Sequence, residues 1–322
     1  MAKMVQHQPY TLKLEMTEGC NLRCSFCGIQ GIREARGDYK YLPLSRAKLM
    51  ADRLADSGWT TKIEFTGRGE PTLNPDVVEI VAAFRNRNPK TSIMITTNGT
   101  GLYRKNTITP MVDALFNAGL NILAVDLYDE VQEKIKEQYK SYTNPNVKVC
   151  VYPEDKVSPN RRNKGQVMVL IPDLGPRGRI GTRKINNHTG AGSPLITPDM
   201  KQRCARPFRE MIIRYDGLVP LCCNDWRGVY HCGDINTQTF EEVWQSEAFV
   251  AQRRLLYHKQ RTEAPCKGCD NTSFRVGLLP DPTGQKSLPK PTAADHAAAE
   301  RARTGGPWTT PVLRPWEKGE NV

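Results

Sequence analysis

The stretch Glu18-Gly19-Cys20-Asn21-Leu22-Arg23-Cys24-Ser25-Phe26-Cys27-Gly28 decides how this chain reads, because it gathers three cysteines at spacings of four and three residues. Three thiolates so close in sequence can hold three corners of one iron–sulfur cube, and such clusters normally take four. No Cys or His follows closely, so one iron would be left open to an external ligand. The competing reading is a zinc site or a group of buried thiols. Structural zinc takes four protein ligands, usually as separated Cys-x2–4-Cys pairs, which three Cys within eight residues fit poorly.

Working outward, residues 10–17 alternate apolar and polar as a strand does, and the cysteine loop follows at its C-terminal end. In parallel α/β barrels that end collects the chemistry. Residues 28–43 are rich in Gly and charge, with Arg33, Arg36 and Lys40 near the site mouth, and a helix is expected over 45–57. The strand Lys62-Ile63-Glu64-Phe65 then runs into Thr66-Gly67-Arg68-Gly69-Glu70-Pro71. Glycines let backbone approach a ligand closely, and bared backbone groups with a carboxylate can grip an ammonium group. A helix over 75–88 and a strand over 92–96 lead to the turn Thr97-Asn98-Gly99-Thr100. A helix over 111–118 precedes a strand over 121–127 that ends in Asp126-Leu127-Tyr128. Asp126 is positioned either to hydrogen-bond ligand hydroxyls or to cap a helix over 129–139. Strands over 147–152 and 166–171 complete six βα-like repeats, two short of a closed barrel.

Taken together, Cys20-x3-Cys24-x2-Cys27 with the aromatic Phe26, the later Gly69-Glu70-Pro71 and the strand-end Thr97-Asn98-Gly99 resemble the radical S-adenosylmethionine (SAM) superfamily. The resemblance implies an α/β fold, an open partial (β/α)6 TIM-type barrel over residues 8–195. It also implies a [4Fe-4S] cluster on Cys20, Cys24 and Cys27. S-adenosylmethionine would chelate the open iron, and a 5′-deoxyadenosyl radical would remove a substrate hydrogen. An external electron donor of flavodoxin or ferredoxin type is the implied partner. Cofactor contacts carried over are Phe26, Gly67, Gly69, Glu70, Thr97, Asn98 and Asp126, the Glu70 segment holding the methionine amino group. Arg68 departs from the family's Gly-Gly-Glu-Pro, and Arg68 and Asp126 are the catalytic candidates.

A second set of cysteines begins with Cys204, twelve residues, Gly217, four residues and Cys222, and ends with Cys266-Lys267-Gly268-Cys269. Residues 211–221 read as a β-hairpin around Asp216-Gly217, and 239–259 as one long amphipathic helix that delivers the Cys-x2-Cys. Spacing alone fits a four-cysteine zinc ribbon as well. Beside a radical SAM barrel the pattern resembles the opening of a SPASM domain in its shortened twitch form. That implies one auxiliary [4Fe-4S] cluster on Cys204, Cys222, Cys266 and Cys269, within residues 196–279. Cys150, Cys223 and Cys232 remain as core thiols, substitute ligands or hydrogen donors. Residues 280–322 are Pro- and Ala-rich and read as a loosely ordered tail, with Trp308 and Trp316 expected to dock it on the body, the alternative being stacking on a partner or base. His188 reads as a turn residue.

The formal charge is +12, and between Asp155 and Ile185 eight basic residues face two acids, a local balance of +6. Arg161, Arg162, Lys164, Arg177, Arg179, Arg183 and Lys184 thus suit a polyanion, the alternative being a solvated surface. The expected substrate is a modified base in nucleic acid, rearranged or oxidised as in DNA hypermodification. Alternatives are a peptide or a small molecule to be dehydrogenated, or a non-catalytic iron–sulfur or zinc protein that binds nucleic acid. No peptide-recognition domain fits before residue 10, the start Met-Ala-Lys-Met is no signal segment, and no apolar run spans a membrane. A reducing, cytoplasmic setting is the expectation for ten thiols.

Overall fold

The computed structural model describes residues 8–24, 27–31, 37–152, 154–155, 165–174, 200–262, 264–271 and 288–305. Strands β1 (Thr11–Leu14), β4 (Lys62–Phe65), β5 (Ile93–Thr97), β6 (Ile122–Tyr128), β7 (Val147–Val151), β8 (Gln166–Leu174) and β9 (Glu210–Ile213) form a seven-stranded sheet. Every ladder in it is parallel. Its order is β7-β8-β6-β5-β4-β1-β9. The short strands β2 (Thr17–Glu18) and β3 (Lys40–Tyr41) pair with each other, as do β10 (Leu218–Pro220) and β11 (His231–Asp234).

The strand sequences alternate because both sheet faces are in use. Leu12, Leu14, Ile63, Phe65, Ile93, Ile95, Leu123 and Val125 pack on one side against helices α1 (Leu44–Asp56), α2 (Val77–Arg87) and α3 (Thr109–Asn117). On the opposite face Met94, Ile122, Ala124, Cys150, Val167 and Val169 make a separate apolar cluster. Lateral register carries that second face round the sheet, with Lys13 beside Glu64, Glu64 beside Met94, Met94 beside Ile122 and Ile122 beside Val167.

Five expectations change, the first four as follows. The last two strands are transposed, since β8 and not β7 pairs with β6, leaving β7 at the edge. The expected hairpin keeps its turn, with Gly217 at φ +93° and the Arg214 carbonyl accepting its N–H. Its first strand, however, joins β1 as β9, because that edge offers a free ladder. Helix α4 runs Glu133–Lys140, four residues later than expected, since Asp129 and Glu130 lie in a turn. After the short helix α5 (Arg206–Arg209), the expected long helix is two, α6 (Phe240–Trp244) and α7 (Glu247–Tyr257), because Ser246 caps the second by accepting from the Phe249 N–H.

The segment expected to be a loose tail contains helix α8 (Ala293–Thr304), started by a capping box between Thr292 and Asp295. Arg254 of α7 meets Asp295 at 2.7 Å, and Ala298 and Ala299 are buried. The C-terminal unit also docks on α1. Arg46 donates to Asn236 Oδ1 (2.9 Å) and the Tyr215 carbonyl (3.0 Å), and Arg53 donates to the carbonyls of Ile235, Asn236 and Gln238.

The cysteine loop is locked to the loop after β4 by backbone. Gly19 and Gly69 form an isolated parallel bridge, the Gly19 N–H donating to the Arg68 carbonyl (3.1 Å) and the Glu70 N–H to the Gly19 carbonyl (3.0 Å). A Cβ at Gly69 would lie 2.2 Å from the Thr17 carbonyl oxygen and 2.5 Å from that of Gly19. Backbone cannot yield as a flexible side chain does, so Gly69→Ala is expected to destabilise the fold by about 2 kcal/mol or more, the scale of forced overpacking, in a denaturant titration.

Candidate active site

Cys20, Cys24 and Cys27 follow β2 and lie beyond the C-terminal end of β1, where the strand's direction delivers them. Cys24 is buried and the other two half-buried. Burial pushes the Cys20 thiol up to about 12, with Glu70 and Cys27 adding to it, and the Cys27 thiol up to about 11. Burial also raises Cys24, assisted by Glu130, Cys27 and Cys20. The three sulfurs thus sit within electrostatic reach of one another, each thiolate disfavoured by burial. Among the described residues no three His, Cys, Asp or Glu groups close on one metal-sized point. The donor set fits a larger cationic group that would take three thiolates at once.

Asn98 does more than turn the chain after β5. Its side-chain amide donates to Cys20 Sγ (3.4 Å) and to Asn21 Oδ1 (3.3 Å), and the Leu22 N–H also donates to Cys20 Sγ (3.4 Å). Asn21 in turn donates to Thr100 Oγ1 at 2.7 Å. Such outer partners orient a metal-ligating side chain. Gly99, at φ +77°, passes so close to Tyr139 that a Cβ would be 2.6 Å from its ring.

Glu70 is buried and its carboxylate is in use. It accepts from Thr72 N–H (2.9 Å), the hydroxyls of Thr72 and Thr97, and the Asn98 N–H (2.7 Å). Burial raises its pKa while these donors oppose the rise. An ammonium group meeting Glu70 would share it with these donors, and the carboxylate braces the Gly69-Glu70-Pro71 and Thr97-Asn98 loops together.

Arg68, a catalytic candidate from sequence, is held in a network of buried partners. Its guanidinium is buried and forks onto Glu15, Nε to Oε2 and Nη2 to Oε1, both 2.9 Å. It also meets Glu18 and donates from Nη1 to the Trp226 carbonyl (3.1 Å). Burial opposes the charge on Arg68, but Glu15 and Glu18 outweigh it; burial likewise favours neutral Glu15, and Arg68 holds that carboxyl below its usual range. Every arm of Arg68 is thereby committed to bracing, because β1 presents Glu15 directly beside the loop. The neighbouring Gly67, at φ +152°, is backed by the Glu15 side chain.

Asp126 lies near the end of β6, with Tyr128 Oη 3.3 Å from its Oδ2. Burial lifts its pKa to about 7, the Tyr128 hydrogen bond opposes this, and Glu70 and Glu64 add to it. On the same sheet face Lys13 Nζ stands 3.9 Å from Glu64 and 3.6 Å from Glu210, and Glu210 is 3.1 Å from Arg206. Burial works against the Lys13 charge, yet Glu64, Cys223 and Glu210 hold it protonated. Arg206 Nη1 is also 2.9 Å from Cys223 Sγ. Sequence reasoning missed Lys13, Glu64, Glu210, Tyr128 and Glu130; the signal available was the charged residues in strands whose neighbours are apolar.

The thiols of the second set lie within electrostatic reach of one another. Cys222 feels Cys266 and Cys269, and Cys266 feels Cys204 and Cys269, burial being the leading cause that raises each. Gln252 donates to Cys266 Sγ (3.5 Å) and the Asn271 N–H to Cys269 Sγ (3.4 Å). Cys150 and Cys232 are buried core, while Cys223 belongs with Arg206 and Glu210. Phe26, His188, Trp308, Trp316, Arg33 and Arg36 lie outside the described residues, as do Arg161, Arg162, Lys164, Arg177, Arg179, Arg183 and Lys184.

A parallel sheet of the partial-barrel kind, with three thiols beyond its strand ends and further cysteines in the C-terminal unit, suits a cluster-bearing enzyme. Residues 14–150 match the model of the radical SAM superfamily, and residues 204–270 match the iron–sulfur cluster-binding SPASM domain. The chain belongs to the radical SAM enzymes and carries a C-terminal SPASM-type domain. These domains imply a [4Fe-4S] cluster, an auxiliary cluster and S-adenosylmethionine. GTP 3',8-cyclase of Mycolicibacterium smegmatis is 37% identical over 117 residues, and GTP 3',8-cyclase 2 of Mycobacterium tuberculosis 38% over 117. Each match covers 36% of this chain and 30% of the relative, so the chain spans under a third of the length of these proteins. Among solved structures, BtrN in complex with AdoMet and 2-DOIA aligns with a TM-score of 0.65 at 20% identity, covering 86% of this chain and 98% of BtrN. BtrN in an open conformation gives 0.59 at 17%, covering 87% and 99%. These likenesses show the fold. No helix among the described residues is long and apolar enough to cross a membrane.

An unfolded Asp releases its proton near pH ~4, whereas folded Asp126 keeps it to about 7. Between those values the folded state binds more protons, so stability falls as pH rises. Asp126→Asn removes that dependence. Its melting temperature is expected to gain on the parent as pH rises from 5 to 7 and to keep a constant lead above, as read by calorimetry; a gap that narrows refutes the assignment.

Proposed function

We propose that this chain removes a hydrogen atom from a small polar substrate moiety held against the helix-free face of its barrel. The observation that carries this is the division of that face. Lys13, Glu64 and Glu210 line the β1, β4 and β9 side, Asp126 and Tyr128 stand at the end of β6, and apolar side chains fill the remainder. Charged groups so placed favour a ligand with hydroxyl or amino groups, which can add hydrogen bonds to the network as water leaves the face, where an apolar ligand adds none.

When bound, the cluster and S-adenosylmethionine supply a reductive cleavage whose carbon radical takes the substrate hydrogen. Cys20, Cys24 and Cys27 would hold that cluster, with Asn98 and the Leu22 N–H steadying the Cys20 sulfur. Asp126, with a pKa of about 7, can accept from or donate to a hydroxyl near neutral pH. Lys13, kept charged, and Glu64 would fix the polar groups of the substrate. Crystallisation of BtrN with AdoMet supports the cofactor, and the names of the sequence relatives support a nucleotide-like moiety as one candidate. A second reading, that the moiety is an unpaired base of nucleic acid to be rearranged or oxidised, is favoured by the local charge of +6 between Asp155 and Ile185. A base must leave the duplex to meet such a site.

Anaerobic reconstitution should load about eight irons, two four-iron clusters, and 5′-deoxyadenosine should form on reduction with S-adenosylmethionine and be lost in Cys24→Ala. Bound zinc with intact S-adenosylmethionine would end the proposal. Lys13→Met and Glu64→Gln should retain substrate-free cofactor cleavage yet lower product formation about tenfold or more, the worth of one charge-assisted hydrogen bond. Nucleic-acid binding that weakens steeply with salt would support the second reading, and binding indifferent to salt would remove it.

A further inference from the structure

The loop that follows the auxiliary ligand Cys222 reaches the first cysteine set. Trp226 packs on Ile29 and Cys27 in a small apolar cluster of its own, only 9% exposed. Its carbonyl accepts from Arg68 Nη1 and from Arg214 Nη2, each at 3.1 Å, and its indole N–H donates to the Cys223 carbonyl at 3.0 Å. One residue thereby touches a ligand of the first cluster, the loop bridged to Gly19, and the neighbour of an auxiliary ligand. The turn is short and internally tied, the Asp225 N–H donating to the Cys222 carbonyl at 3.0 Å.

We propose that Trp226 is a positioning residue through which an occupied auxiliary site holds the Cys27 loop in its S-adenosylmethionine-binding form. The inference rests on the cofactor reading above. Occupancy at Cys222 restrains the turn, the turn restrains Trp226, and Trp226 covers Cys27. Binding at one site then stabilises the other by a coupling free energy, and the effect is reciprocal.

The test is a double-mutant cycle on the full chain, reconstituted with iron and sulfide. Equilibrium dialysis measures S-adenosylmethionine binding, and electron paramagnetic resonance follows the reduced first cluster as S-adenosylmethionine is added. Emptying the auxiliary site with Cys266→Ala and Cys269→Ala is expected to weaken binding about fivefold, the lower end of measured allosteric couplings. In a Trp226→Ala background the same emptying should change binding less than about twofold, and Trp226→Phe should restore the larger effect. Equal factors in both backgrounds, or no effect in the parent, overturn the proposal. Should the double cysteine variant not fold, Trp226→Ala with both sets intact replaces it. Weakened binding at full iron content then supports the coupling, and unchanged binding refutes it. A resonance shift on S-adenosylmethionine addition to the parent shows that the cofactor reading stands, whatever the coupling.

Discussion

Everything near the site depends on how closely two stretches of backbone approach at Gly19 and Gly69. Their bridge, held by hydrogen bonds of 3.0 and 3.1 Å, leaves no volume for a side chain at Gly69. It ties the loop bearing three thiols to the end of a sheet strand, so the loop inherits the sheet's rigidity. Thiols crowded away from water cost free energy when charged, and a rigid mount keeps them together until a cationic group relieves that cost.

Buried charge then fastens this junction to the rest of the molecule. Arg68 and Glu15 form a two-pronged pair, and a guanidinium suits that geometry because its donors lie in a fixed fork. A buried ion pair adds little net stability, since desolvation offsets attraction, but losing one partner strands the other. Its contribution here is therefore geometric. Arg68 reaches the Trp226 carbonyl as well, so the C-terminal unit shares the constraint that fixes the cysteine loop. The arginines of α1 grip the same unit from the other side.

The helix-free face divides its labour by strand. Apolar residues of β5 to β8 fill one part, and Lys13, Glu64 and Glu210 charge the other. Asp126 stands near the C-terminal end of β6, where burial and neighbouring carboxylates raise its pKa to about 7. Strong perturbation of an ionisable group in such a setting is a mark of functional surfaces. With Tyr128 hydrogen-bonded to it and the charge of Glu64 opposing ionisation, Asp126 retains a proton that it can give or share.

Much was legible from local pattern. The spacing of Cys20, Cys24 and Cys27, the glycine loop, the turn at Asn98 and the alternation of strands needed only neighbours in sequence to be read. The spacing of the auxiliary cysteines was likewise readable, and Asp216-Gly217 supplies a turn wherever the chain goes, whereas the helix break at Ser246 was not foreseen. What the sequence could not reveal depended on contacts between distant segments. It could not say that β9 would take the free edge of β1, that β8 would displace β7, or that α8 would find Asp295 a partner in Arg254. Nor could it show that Arg68 would spend its guanidinium on Glu15, or that Trp226 would reach Cys27. Sequence by itself determined which chemistry the chain can carry, because ligand type and spacing are local properties. Tertiary structure alone decided which charges face the chamber and which become struts, because burial and pairing exist only once remote strands are side by side.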